Sequence, residues 1–200
     1  MCNCAVIPWL HSQTSVPIVS LLNRGLQGLL HQLIVIFSLV ILVGLVMLVH
    51  ELGHLAAAKV CNVPASEVGL GMGPKLFGFR LGSISFNLRA FPVASFVRLD
   101  GAALAERSVQ QQLFVHLAGI IFNLVAGFAA YGTIFSWINL ALAAINVLPL
   151  YKHDGWKCGV VIMRTLLRRT SKPVEWVFTF SGGLASLVIV DALAHLLRLK

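Results

Sequence analysis

The sequence predicts an all-α polytopic membrane protein with about four to five membrane helices and a small membrane-associated β element between the first and the second. Three observations carry that reading. Hydrophobic residues make up 58% of the 200 and charged residues only 11%, with a mean hydropathy of +0.89, a balance that suits a bilayer better than a soluble domain. The apolar residues come in runs that approach the roughly 20 residues a spanning helix needs. Between the first two runs, residues 61–101 are rich in Gly and Pro and mix Val, Ile, Phe and Leu with polar residues too irregularly for a helix.

Taken in order, residues 1–32 form an N-terminal lead-in. Met1 to Pro17 contains no Lys or Arg, and no small-residue cleavage site follows the first apolar run, so no cleaved leader is expected. From Ile18 to Leu30 the apolar residues are interrupted by Asn23, Arg24, Gly25 and Gln27, which suits either an amphipathic helix along the membrane surface or a plain flanking helix. A core from 33 to 170 follows. Its first helix runs from Leu33 through Val49 and on to about Val60, and the β-rich interval occupies about 61–101. A second helix covers about Leu113 to Ala130, and after the Tyr131-Gly132 break a third covers about Ile134 to Leu148. These two form a hairpin. A polar knot, Tyr151-Lys152-His153-Asp154-Gly155, precedes a helix to about Leu167, and residues 171–200 hold a last apolar segment from Val174 to Leu197.

The net charge of +8 does not point to nucleic acid. Lys59, Lys75, Arg80, Arg89, Arg98 and Arg107 fall in one inter-helix stretch and Lys152, Lys157, Arg164, Arg168, Arg169 and Lys172 in another, the pattern of cytoplasmic loops. Cys2, Cys4, Cys61 and Cys158 form no CxxC pair, so neither a thiolate zinc site nor a disulfide framework is indicated.

At the inner end of the first helix the chain reads His50-Glu51-Leu52-Gly53-His54. In this HExxH motif four residues make about one helical turn, so both imidazoles leave one face and can converge on a single Zn²⁺. Glu51 lies about 100° round the helix, placed to act as general base toward a water and then to return the proton to the leaving amine. Chance would put HExxH in on the order of one chain in a hundred of this length. An ionisable group inside a membrane helix, however, costs about 2.5–3.5 kcal/mol on insertion scales, and three within five residues demand a purpose. With a rise of about 1.5 Å per residue from Leu33, His50 lies roughly 25 Å along the axis, toward the basic, cytoplasmic side. For a third ligand, spacing offers Asp154, with His153 as its rival; an Asp before Gly is also a common turn or helix cap. His11, His31, His116 and His195 each stand alone, and structural roles suit them better.

Together these residues resemble the site-2 protease family of intramembrane zinc metalloproteases. The run Asn146-Val147-Leu148-Pro149-Leu150-Tyr151-Lys152-His153-Asp154-Gly155 is similar to the family's Asn-x-x-Pro-x-x-x-Leu-Asp-Gly pattern. Softer matches are Gly71 to Lys75, Pro92 to Val97, and Ala118-Gly119 through Asn123. The resemblance implies one zinc per chain held by His50, His54 and Asp154, with Glu51 catalytic and Asn146 holding the substrate backbone or oxyanion. It further implies substrate contacts at Asn123 and Phe96. The expected substrate is a membrane protein with a transmembrane segment, unwound against the strand region and cut within or near the bilayer. Departures are Ile120 for Pro, Ala94-Ser95 for two glycines, His153 for Leu and Trp156 for Gly; the last two are expected to crowd the third ligand. The chain leaves no room for a PDZ or CBS domain, so substrate choice is expected to rest on the membrane core or on a regulatory partner protein. Three rivals remain: a catalytically inactive relative that binds membrane proteins, a zinc transporter, and a membrane protease for soluble chains with Glu175 as third ligand.

Overall fold

The computed structural model describes residues 18–167 and 172–198. The expected lead-in before Ile18 lies outside the described residues, as do Arg168 and Arg169. The chain divides into two compact units, residues 1–39 and 40–200. In the first, the described residues are helical, and Leu21, Leu22, Leu26, Leu29, Leu30 and Leu33 are all exposed. Apolar side chains on every side of a helix suit lipid rather than water. No proline occurs between Ile18 and Val60, and Gly25 and Gly28 weaken a helix by only about 1 kcal/mol each, so helix α1 is assigned from Ile18 to Val60.

The second unit contains the rest of α1 and every other element: β1 (Ala65–Leu81), β2 (Ile84–Leu99), α2 (Gly101–Ala105), α3 (Val109–Ala129), α4 (Ile134–Val147), α5 (Asp154–Leu167) and α6 (Lys172–Arg198). As expected, the interval after α1 is β structure. The two strands pair antiparallel, but each is bent, so the register doubles back. Residues 75–81 of β1 pair with 84–89 of β2 across the turn at Gly82, whereas Val68 and Gly69 meet both Phe86 and Asn87 on one side and Val97 and Phe96 on the other. The final arm of β2 thus forms an edge, and that edge faces the inner end of α1.

Two capping signals set helix starts that the apolar pattern does not mark. Asp100 accepts from the N–H groups of Ala102 and Ala103 and opens the short helix α2. Ser108 and Gln111 form a capping box, which starts α3 at Val109, four residues before the apolar run from Leu113. Along α3, Val115, Gly119, Asn123 and Gly127 are buried in a four-residue repeat, a stripe that faces the other helices. α4, capped by Thr133, is tied to α3 by the Ser136 hydroxyl, which donates to Gly127 O at 2.7 Å. A small core of Ala57, Ala58, Cys61, Val63, Leu104, Val115 and Ala118 locks the end of α1 to α2 and α3.

Three described helices are long and apolar enough to cross a membrane: Ser20–Val60, Val109–Ala129 and Glu175–Ala192. α4, with 14 residues, reaches only about 21 Å at 1.5 Å per residue, short of a hydrocarbon core of about 30 Å. α5 is equally short and less apolar. The protein is therefore mostly helical with a small sheet and three candidate spans, fewer than the four to five expected.

Candidate metal centre

His50 and His54 lie one turn apart on α1 and are both 7% exposed. Across from them, the chain leaves α4 at Pro149, turns through Lys152 with a φ of 69°, and begins α5 at Asp154, which is 2% exposed. The left-handed Lys152 is an unusual conformation for a residue with a Cβ, and it turns the ligand-bearing end of α5 inward. The next residue must be small: a Cβ on Gly155 would collide with Val147 O.

His50 Nε2 and His54 Nε2 are 3.2 Å apart, and Asp154 Oδ2 lies 2.8 Å from the first and 3.1 Å from the second. Tetrahedral zinc, with ligands at about 2.0–2.1 Å, sets neighbouring ligand atoms roughly 3.3 Å apart, so the triangle fits one face of such a site. The chemistry fits as well. His54 Nδ1 is 2.7 Å from Val115 O; a carbonyl only accepts, so Nδ1 carries the proton and Nε2 presents its lone pair. A lone pair and a carboxylate oxygen aimed at one point call for a cation.

His50 is oriented by Asn123, whose amide Nδ2 is 3.3 Å from His50 Nδ1 while Oδ1, fully buried, has no partner. With the amide turned over, Oδ1 accepts from His50 Nδ1–H, and Nε2 is freed for the metal. α3 thus supplies the outer partners of both histidines, Val115 O and Asn123. The helix can come this close only because of Gly119, whose Cβ would sit 2.6 Å from His54 Nε2 and 2.8 Å from His50 Nε2.

The triangle opens onto a cavity of about 450 Å³ lined also by Glu51, Val97, Asn146, His153 and Lys157. Glu51 Oε2 accepts from Val97 N–H at 2.8 Å, which ties the expected general base to the edge of β2. Asn146 borders the same space, its Nδ2 donating to Leu142 O at 3.0 Å. Asn123 and Phe96 do not line the cavity. Asn123 is wholly buried behind His50, and Phe96 packs on Gly69 with the Arg89 guanidinium 5.4 Å from its ring. Trp156 leaves the third ligand uncrowded: it packs between Tyr151 and Phe178. His153 does border the cavity. Glu175, the ligand a soluble-chain protease would use, is paired with Arg164 at 2.6 Å. Cys158, buried one turn from Asp154, does not join the cluster of ligand atoms that His50, His54 and Asp154 form among the described residues.

Residues 38–136 match the model of peptidase family M50, a stretch that contains His50, Glu51, His54, Gly119 and Asn123 and ends before Asn146 and Asp154. The chain belongs to peptidase family M50. Three relatives, each named "Putative zinc metalloprotease", illustrate the likeness. One from Fusobacterium nucleatum is 31% identical over 97 residues, 44% of this chain and 29% of the relative. One from Clostridium perfringens is 37% identical over 99 residues, 46% of this chain and 29% of the relative. One from Clostridium acetobutylicum is 34% identical over 143 residues, 66% of this chain and 42% of the relative. The matched stretches therefore span well under half of the relatives' lengths. Family membership and the apolar helices support a membrane protein, and the triangle of His50, His54 and Asp154 gives it a site suited to zinc.

Proposed function

We propose that the protein is an intramembrane zinc endopeptidase that hydrolyses peptide bonds of membrane-protein substrates within or near the bilayer, as in regulated intramembrane proteolysis. The observation that carries this reading is the placement of His50, His54 and Asp154 around one point with Glu51 and Asn146 on the same cavity. His50, His54 and Asp154 would hold one zinc. Zinc bound there supplies Lewis-acid polarisation of the scissile carbonyl and lowers the pKa of a water to about 7. Glu51, on the same cavity, is placed to take a proton from the attacking water and pass it to the leaving amine. Asn146, which lines the same cavity, would hold the substrate backbone or the developing oxyanion.

The substrate segment enters as an extended strand along the edge of β2, where Val97 N–H points toward the site and main-chain pairing can unwind a helical substrate. The site lies near the cytoplasmic face of a multi-pass protein, because the basic residues flank the metal-bearing ends of the helices. A lipid bilayer, a substrate with a transmembrane segment and a regulatory partner are the proposed associates. Against a zinc transporter, the described residues hold a single His/Cys/Asp/Glu cluster of this kind, whereas transport needs sites along a path.

The test is to incubate detergent-purified protein with a panel of single-span substrates beside the Glu51→Gln variant. The expected outcome is cleavage by the wild type, none by the variant, and about one zinc per chain in both. Zinc without cleavage in the wild type would favour the inactive, substrate-binding relative. Cleavage by Glu51→Gln at the wild-type rate would remove Glu51 from the mechanism.

A further inference from the structure

The two oxygens of Asp154 have different partners. Oδ2 faces His50 and His54, whereas Oδ1 is 2.8 Å from the Nζ of Lys157, three residues further along α5. The carboxylate is buried, its side chain 3% exposed, while that of Lys157 is 41% exposed. The cation therefore reaches a buried anion from the wall shared by the metal cavity and a neighbouring cavity of about 220 Å³. α5 gains nothing electrostatically from a lysine in its first turn, because the positive end of the helix dipole disfavours a cation there. What Lys157 serves is the carboxylate. An aspartate with both oxygens free can swing to offer both to a metal; an ammonium bound to one of them blocks that motion and draws off part of the charge.

We infer that Lys157 is a positioning residue of the metal site, holding Asp154 Oδ1 so that only Oδ2 is offered to the ion and the remaining coordination position stays open to the cavity. The inference rests on the zinc site proposed above. Lys157 acts through Asp154 and needs no contact with substrate.

Purified wild type, Lys157→Met and Lys157→Arg are to be compared by chelator competition for zinc and by the visible spectrum of the cobalt-substituted protein. Removing an outer partner of a ligand typically weakens metal binding by about 10–100-fold, and that loss is expected for Lys157→Met. Its cobalt bands should also weaken as a second carboxylate oxygen joins the ion. Lys157→Arg, which keeps a charged donor, should recover most of the affinity and the wild-type spectrum. Should Lys157→Met not fold, Lys157→Gln, which keeps a donor without the charge, carries the same comparison. A salt bridge that merely braced α5 would change thermal stability and leave the cobalt spectrum alone. Zinc affinity within about twofold of wild type together with a superimposable spectrum would overturn the inference. Failure of the zinc reading shows separately, as a wild-type protein that takes up neither metal, and it would overturn both.

Discussion

The metal corner and the β1–β2 pair lie next to each other and are built on opposite terms. Around the metal corner, polar side chains are buried and almost every one has a named partner: His54 on Val115 O, Asp154 on Lys157, Asn123 on His50. Close approach there is set by Gly53 against Ala118, Gly119 against the histidines and Gly155 against Val147. The sheet is held mainly by main-chain pairing and leaves Leu76, Phe77, Phe79, Leu81 and Phe91 more than half exposed. Its polar residues form a partly buried cluster, with Glu67 accepting from Asn87 at 2.7 Å and from Arg89 at 3.2 Å. A site that must keep three atoms within a few tenths of an ångström tolerates little change. A ribbon whose apolar side chains stand exposed tolerates much.

Substitutions can break that contrast, and they rank by expected effect. Glu51→Gln should lower cleavage by about 10²–10⁴-fold or more with zinc content unchanged, read by substrate turnover beside metal analysis. Gly119→Ala comes next: overpacking of this kind costs about 1–3 kcal/mol, here directed at two ligands, so zinc content should fall before the helices melt, as metal analysis beside circular dichroism would show. Asn123→Ala should weaken zinc by about 10–100-fold, whereas Asn123→Asp, which still accepts from His50, should hold it; chelator competition separates them, and equal losses would reduce Asn123 to a packing residue. Glu67→Gln should be the mildest, within about 1 kcal/mol in unfolding, and should leave zinc affinity alone.

The Glu67 carboxyl also has a pH signature. The Asn87 hydrogen bond, followed by Arg89 and Arg98, holds it below its usual value of 4.5. A depressed folded-state pKa means that its contribution is fully present above pH 4.5 and is lost as the pH falls through the lower, folded value. The wild type should therefore lose sheet stability in acid, and Glu67→Gln should flatten that slope, a difference readable by hydrogen exchange in β1 and β2.

The cluster of His50, His54 and Asp154 was legible in the sequence in part: HExxH encodes the geometry of the two histidines in one helical turn, whereas spacing left Asp154 beside its rival His153 and only the resemblance to a family pattern of Asn, Pro, Asp and Gly favoured it. The outer partners were not. Asn123 meets His50 across 73 positions, a contact that only the packing of α3 on α1 creates, so the side chain read as a substrate contact turned out to stand behind a ligand. Lys157 counted as one more cytoplasmic charge; its three-residue spacing from Asp154 was visible but had no meaning until Asp154 was seen to be buried. The start of α3 was readable from Ser108-x-x-Gln111 and was missed because the apolar run begins later. The number of spans is left open for another reason: apolar composition marks α4 as readily as α3, whereas its 14 residues fall short of the roughly 20 that a spanning helix needs.

The triangle of His50, His54 and Asp154 joins chain positions 100 residues apart, so an ion held there is also a cross-link. Closing a loop of about 100 residues in a free chain is worth up to roughly 4.7 kcal/mol by the entropy of the open chain, and less in a bilayer that already confines the helices. Metal removal should therefore do more than silence the chemistry. It should uncouple the start of α5 from the end of α1, and a chelator should raise proteolytic susceptibility around Tyr151 and Lys152 before it affects the cores of α1 and α3.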